Sequence, residues 1–299
     1  MTTQTYHLEF LTPCLCAGAD PSVAEVRAPS IRGKLRWWFR VLGGSPAEEA
    51  EVFGSIRGEE GCGSSLMVRV CEHAPRAAWQ PLQFSGVSNT GYLLYFAKAS
   101  GDGRRWVASG ALPVGSSFEL QLIWRRNPGP ATKELFELAL DSFLMLGSLG
   151  LRSTRGLGCF SCEERPFSQA GLDQLRGRIR ARAPGFLVEV AGFVGPGTAL
   201  LDALGGQLRG LRQGYSAGRP GHSNPGPLGS SSRPRQTSAV YLRPVRERAD
   251  QFRIVVFEAP ADKVLGLQSR RGAPRLGNGV PPPGQAPQGG SRFGGGRLR

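Results

Sequence analysis

Arg32, Arg36 and Arg40 stand four residues apart in the segment RAPSIRGKLRWWFR, Arg27 to Arg40. In a helix that spacing places three guanidinium groups in one row, beside an apolar face of Ile31, Leu35, Trp38, Phe39 and Leu42. Guanidinium forks match phosphate oxygens two at a time. Pro29 and Ser30 read as the helix start, with Ser30 as its cap, and the free N–H groups there favour an anion. Arg27 and Lys34 add charge, so the chemistry expected of the segment is grip on a phosphodiester backbone. The competing reading is a solvated basic face on an ordinary core helix.

A second segment, GSLGLRSTRGLGCF from Gly147 to Phe160, combines glycines at 147, 150, 156 and 158 with Arg152, Ser153, Thr154 and Arg155. Glycines let a backbone come close to a ligand and turn its N–H groups toward it, while the arginines and hydroxyls complete a phosphate-gripping turn. It is neither a Walker loop nor the opening of a Rossmann helix. A third stretch, 203–246, carries Arg209, Arg212, Arg219, Arg233, Arg235, Arg243 and Arg246 and no acidic residue. It reads as a mobile, backbone-binding arm. Catalysis has little support, since His7, His73 and His222 lack Ser, Cys or Tyr partners at a diagnostic spacing.

The string SIRGKLRWWFR, preceded by Glu25 and Arg27, resembles the N-terminal signature of subunit one of the Cmr complex, the type III-B CRISPR effector, within the RAMP superfamily. GSLGLRSTRGLGCF resembles the glycine-rich loop of that superfamily in the form G-x-G-x-R-x-x-R-G-x-G, with Leu157 where an aromatic is common. RQTSAVYLRP, from Arg235 to Pro244, resembles the opening of a late strand in the same proteins. The resemblance implies a noncatalytic subunit of an antiviral ribonucleoprotein, touching the 3′ part of a guide RNA and the paired target RNA and packing on other RAMP subunits. The alternative it carries is a RAMP-type endoribonuclease that processes guide or cuts target RNA. In the backbone subunit of such a complex an aspartate before the basic helix promotes cleavage; Asp20, ahead of Pro21, reads here as a turn residue. The RNA-binding residues expected are Arg27, Ser30, Arg32, Lys34, Arg36, Arg40, Gly150, Arg152, Ser153, Arg155, Gly156, Gly158, Arg209, Arg212, Arg219, Arg233 and Arg235. No catalytic residue, cofactor, metal or DNA dependence is expected.

Composition agrees with an RNA partner. Thirty-seven basic residues against 23 acidic ones give +14 over 299 residues, and only four of the 37 are lysines. No apolar h-region follows Met1 and no run of about 18 apolar residues occurs, which predicts a cytoplasmic protein without a membrane partner. Reducing conditions would leave Cys14, Cys16, Cys62, Cys71, Cys159 and Cys162 as thiols, and their spacings lack a zinc-knuckle pattern.

These segments need elements to position them. Alternation predicts strands over Thr5–Leu11, Ser64–Val70, Gly91–Lys98, Phe118–Arg125 and Gly158–Glu163. The basic helix, a short helix over Pro46–Phe53 and an amphipathic helix capped by Thr132 lie between them. The order strand, helix, strand, strand, helix, strand predicts a ferredoxin-like, α+β domain over 1–165. Residues 166–265 read as a second, irregular ferredoxin-like unit, with helices over Leu172–Ala181 and Ala199–Arg212. An extended piece over Phe186–Val190 and a hairpin of Val240–Val245 with Phe252–Glu258 complete it. Residues 266–299 are a Gly/Pro/Arg-rich tail unable to bury enough surface to fold.

Overall fold

The computed structural model describes residues 2–18, 20, 23–57, 60–72, 83–84, 87–95, 105–106, 111–216, 227–229, 237–260 and 263–264. In chain order they form β1 (Thr2–Phe10), β2 (Cys14–Leu15), α1 (Ala28–Val41), α2 (Pro46–Phe53), β3 (Ser55–Arg57), β4 (Glu60–Cys62) and β5 (Leu66–Glu72). Next come β6 (Gln83–Phe84), α3 (Asn89–Leu93), β7 (Arg105–Trp106), β8 (Ala111–Leu112), β9 (Ser117–Trp124), α4 (Pro130–Leu146) and β10 (Phe160–Cys162). The chain continues through α5 (Gln169–Arg182), β11 (Leu187–Val194), α6 (Thr198–Ser216), β12 (Val240–Arg248) and β13 (Gln251–Glu258).

Antiparallel pairing orders the main sheet β10-β1-β9-β5, joining Leu8 to Phe118 and Phe10 to Phe160 across the ladders. Period-two alternation sends Phe118, Leu120, Leu122 and Trp124 of β9 to one face, where α1 and α4 cover them. Phe136 of α4 meets Trp124 edge-on at 4.9 Å, and Phe143 lies 5.3 Å from Phe160. The strands of this sheet with α1 and α4 follow in the order β1, α1, β5, β9, α4, β10, which is the predicted strand, helix, strand, strand, helix, strand.

The second sheet, order β11-β13-β12, contains the expected hairpin. It has three strands, so among the described residues a second complete βαββαβ unit is not formed. Its inner face joins the core of the first half: one apolar cluster runs from Tyr6 to Ala259 and crosses the boundary placed at residue 166. Trp38 of α1 packs on Phe186 and Phe257 at 5.8 and 5.5 Å. A second cluster gathers Leu157, Leu200, Leu204, Leu208, Leu242 and Val256 around α6.

Three local expectations are corrected. Residues 89–93 are helical rather than extended, because the Ser88 hydroxyl accepts the Gly91 N–H at 2.9 Å and caps α3; residues 96–98 lie outside the described residues. Helix α1 starts before Ser30, with Arg27 as N-cap and the Ser30 and Ile31 N–H groups already bonded to the Arg27 carbonyl. Proline at the second position needs no donor, which draws the start one turn earlier. Thr132 does not cap α4 either. Gly129 is the cap residue, and Glu51 of α2 supplies the capping carboxylate, accepting the Gly129 N–H at 2.5 Å and the Thr132 hydroxyl at 2.8 Å.

All six cysteines are free thiols. Cys159 lies near Cys14 and Cys16, whereas Cys162 turns to the Glu164 carboxylate at 3.3 Å. No helix among the described residues is long and apolar enough to cross a membrane.

Candidate nucleic-acid interface

The arginine row of α1 is engaged by the protein's own groups at the surface. The chain turns back after Gly43 and Gly44, and α2 lays Glu49 against the row. Arg36 Nε donates to Glu49 Oε1 at 2.8 Å, and Arg40 reaches both Glu49 oxygens. The Arg40 hydrogen bond holds the Glu49 carboxyl below the usual carboxylate range. Arg32 donates to the Phe53 carbonyl at the end of α2. Arg27 pairs with Glu25 at 3.1 Å and remains at the surface. The expected phosphate stripe is therefore a brace between two helices. The α1 sequence alone could not show this, because the acid that neutralises the stripe arrives from the next helix.

The opposite edge of α1 is the open one. Ser30, Gly33, Lys34 and Trp37, at helical spacings of three and four, line a groove of about 510 Å³. Gly147, Ser148 and Gly150 form the facing wall, with Tyr241 of β12 and Phe257 of β13 at the end. Lys34 Nζ donates to Ser153 Oγ at 2.9 Å. Burial lowers the Lys34 pKa, and among the described residues no carboxylate pairs with it. A half-buried cation without a counter-ion is costly to keep, and an anion entering the groove would relieve that cost. Trp37 stands 5.2 Å from Tyr241, which stacks parallel on Phe257 at 4.7 Å. An ammonium beside an aromatic platform is what a nucleotide's phosphate and base require. Trp37, Gly33 and Tyr241 were absent from the expected site; the spacing of 30, 33, 34 and 37 was the signal available in the sequence.

The glycine loop has the strained backbone its composition predicts. Gly150, Gly156 and Gly158 have φ of 75°, 85° and 62°, and Arg152 joins them at 61° without glycine's freedom. The expectation that these N–H groups point to a ligand is corrected for several of them. Leu149 and Gly158 donate to the Gly158 and Pro13 carbonyls at 2.9 Å, and Leu151 donates to Leu15 at 2.8 Å. The loop is tied to the end of β1 and to β2, where its glycines allow close approach between backbones. Ser153 is buried beneath Lys34, Gly156 lies against Leu204 of α6, and Arg155 is buried on the α6 side.

Of the third basic stretch, residues 203–216 belong to α6 and 240–246 to β12, while 217–226 and 230–236, where the arm was expected, lie outside the described residues. Arg209 and Arg212 lie on α6 over the Tyr92 ring, at 5.2 and 5.7 Å. Arg243 is fully buried and donates to the Met145 and Phe160 carbonyls, pinning β12 to α4 and β10. Arg246 is paired with Glu9 at 2.9 Å. Arg219, Arg233 and Arg235, like His73, His222 and residues 266–299, lie outside the described residues. Asp20 sits in a turn, its carbonyl accepting the Val23 N–H at 3.1 Å.

His7 does have a partner. Its Nδ1 lies 2.6 Å from Glu164 Oε1, with Glu119 at 3.7 Å from Nε2, and the Glu164 hydrogen bond raises the imidazole pKa above 6.5. A raised folded pKa contributes stability that is complete below pH 6.5 and lost as pH climbs through the folded value. NMR titration of His7 should give a midpoint above 6.5 that returns to the ordinary value in Glu164→Gln; an unchanged midpoint would dismiss the pair.

The family model of the RAMP superfamily matches residues 7–161. Two Pyrococcus furiosus proteins are similar in sequence. CRISPR system Cmr subunit Cmr1-1 is 32% identical over 165 residues, 52% of this chain and 44% of that protein. Cmr subunit Cmr1-2 is 28% identical over 174 residues, 51% of this chain and 91% of that protein. The chain thus spans less than half the length of the first relative. The crystal structure of apo Cmr1 from the same organism shares the fold, with a TM-score of 0.52 at 22% identity, covering 87% of this chain and 88% of that one.

Proposed function

Because the chain belongs to the RAMP superfamily, we propose that it is a noncatalytic RNA-binding subunit of a type III-B CRISPR (Cmr) ribonucleoprotein, holding the 3′ part of a guide RNA and the paired target. The likeness to the two Cmr1 subunits supports the complex, and other RAMP subunits are then its protein neighbours. The first sheet with α1 and α4 is read as a ferredoxin-like unit, and the three-stranded second half as an abbreviated relative of it. One observation carries the RNA reading: the groove between α1 and the glycine loop, where an uncompensated Lys34 stands beside the Trp37–Tyr241 pair. The lysine suits a phosphate and the rings suit an unstacked base, a pairing that holds RNA without reading its sequence.

Filter binding of a labelled single-stranded RNA tests this reading. Lys34→Met and Trp37→Ala should each weaken binding, Trp37→Ala by about tenfold, as expected for one lost base–aromatic stack. Lys34→Met should also flatten the log–log salt dependence by about 0.7, the share of one single-strand phosphate contact. Arg36→Ala with Arg40→Ala should leave affinity nearly unchanged while lowering the melting temperature, since both arginines serve Glu49. Equal affinities for all three proteins would remove the groove from the interface. Incubation with repeat and target RNA, with and without Mg²⁺, should leave both intact. Cleavage abolished by His7→Ala, His222→Ala or Asp20→Ala would replace the binding subunit with an endoribonuclease.

A further inference from the structure

Three of the six thiols gather beneath the glycine loop. Cys14 is 0% exposed, Cys159 is buried near it, and Cys16 is half-buried at the rim of the cluster. The Cys16 N–H donates to the Cys14 carbonyl at 3.1 Å, a three-residue turn centred on Leu15. That turn folds the C-x-C segment back on itself. The Cys16 sulfur lies 3.7 Å from the same carbonyl, and the Cys14 and Cys16 thiols hydrogen-bond each other. A disulfide needs Cα atoms about 4.4–6.8 Å apart, a separation that such a turn supplies. The hydrogen bond with Cys16, and then burial, hold the Cys14 thiol above its ordinary range, so Cys14 waits as the protonated partner. Cations stand close by: Lys34 acts on Cys14 and Cys159, and the buried Arg243 guanidinium hydrogen-bonds Cys159. Positive charge favours the thiolate, which is the reactive form of a cysteine.

The same turn is the seat of the glycine loop. The Leu15 carbonyl accepts the Leu151 N–H at 2.8 Å, and the Pro13 carbonyl accepts the Gly158 N–H at 2.9 Å. Cys14 Sγ lies 3.2 Å from the point a methyl group would occupy at Gly150, and equally at Gly158. Rotation of the Cys14 side chain therefore changes what both glycines rest on, and Gly150 is part of the groove wall. We propose that Cys14 and Cys16 are a hydroperoxide-sensitive dithiol, whose oxidation to a disulfide unseats the glycine loop and weakens the hold of the Lys34 groove on RNA. Only the last clause rests on the RNA reading. Cys16, the sulfur that solvent reaches, attacks one oxygen of the hydroperoxide as its thiolate. The O–O bond breaks, a sulfenic acid forms, and the proton shed by the thiol leaves with the departing oxygen as an alcohol or water. The Cys14 sulfur then attacks the Cys16 sulfur. The S–O bond breaks, the hydroxide takes the Cys14 proton and leaves as water, and the two sulfurs have given up two electrons.

The test uses the full chain, reduced and then exposed to hydrogen peroxide. Residues 1–27 form one tryptic peptide that contains Cys14, Cys16 and no other cysteine. Without reductant that peptide should become lighter by two hydrogens, and dithiothreitol should restore its mass. Hydrogen exchange at the Leu151 and Gly158 amides should quicken about tenfold in the oxidised protein, because their carbonyl partners flank Cys14. RNA affinity should fall about tenfold, the share of one base contact, and recover with dithiothreitol. Cys16→Ser should bind RNA as the reduced protein does and lose the peroxide response in all three measurements. A disulfide joining this peptide to Cys159, or an oxidised Cys16 that stays unbridged, overturns the proposal. So does a Cys14–Cys16 disulfide that leaves amide exchange unchanged, or that leaves affinity unchanged in a protein that binds RNA. The disulfide and the faster exchange, in a protein retaining no RNA in either state, would instead sink the RNA reading and leave the redox site standing.

Discussion

Trp38→Ala should unfold the protein more readily than any other substitution on α1, by about 3–5 kcal/mol, the usual loss for a truncated buried tryptophan. Trp38 is 2% exposed and touches aromatic rings from three parts of the chain: Trp37 on its own helix, Phe186 ahead of β11 and Phe257 on β13. Removing the indole opens a cavity between two sheets held apart by their own hydrogen-bond ladders, so neither can collapse freely into it. Chemical denaturation should show a lower midpoint with a single transition. A midpoint within error of wild type would mean that α1 does not bridge the halves.

Gly158→Ala is expected to be nearly as damaging, for a backbone reason. A methyl group there would stand 2.0 Å from the Leu149 carbonyl oxygen, on a residue whose φ is 62°. The Leu149 carbonyl cannot yield easily, because the same turn holds the Leu149 N–H to the Gly158 carbonyl and the Gly158 N–H to Pro13. Alanine at an incompatible positive φ costs more than about 1 kcal/mol before any overlap is counted. Gly33→Ala is the matched control. Nothing lies within 4 Å of a methyl group at Gly33, and alanine is favoured over glycine in a helix by about 1 kcal/mol. Thermal melts should therefore fall for Gly158→Ala and hold or rise for Gly33→Ala. A fall in both would point to α1 rather than the loop as the sensitive element.

The elements were legible where one face of a segment is apolar and the other is not. Helix α2 begins and ends on the predicted residues, Pro46 and Phe53, and β9 alternates as its pattern over Phe118–Arg125 predicts. Charge was less legible. Arg36 and Arg40 look free in the sequence because Glu49 is brought to them only by the turn at Gly43, and Arg243 looks like part of a cationic arm until β12 buries it. Periodicity shows which side chains share a face, but not what that face meets. Lys34 interrupts a pattern otherwise read for its arginines, and its value to the site comes from having the Ser153 hydroxyl, and among the described residues no carboxylate, as its partner.

Phe186 and Phe257 stack on each other and pack at a tilt against Trp38, so residues from the second half close the core of the first. Severing the chain between α6 and β12 would consequently leave two pieces that complement one another. Each alone would expose an aromatic surface, while together they would reassemble with a stability that depends on concentration, as in a heterodimer. The portion matching the family model is accordingly not a portable module: transplanted without β12 and β13 it would lack one wall of its own interior.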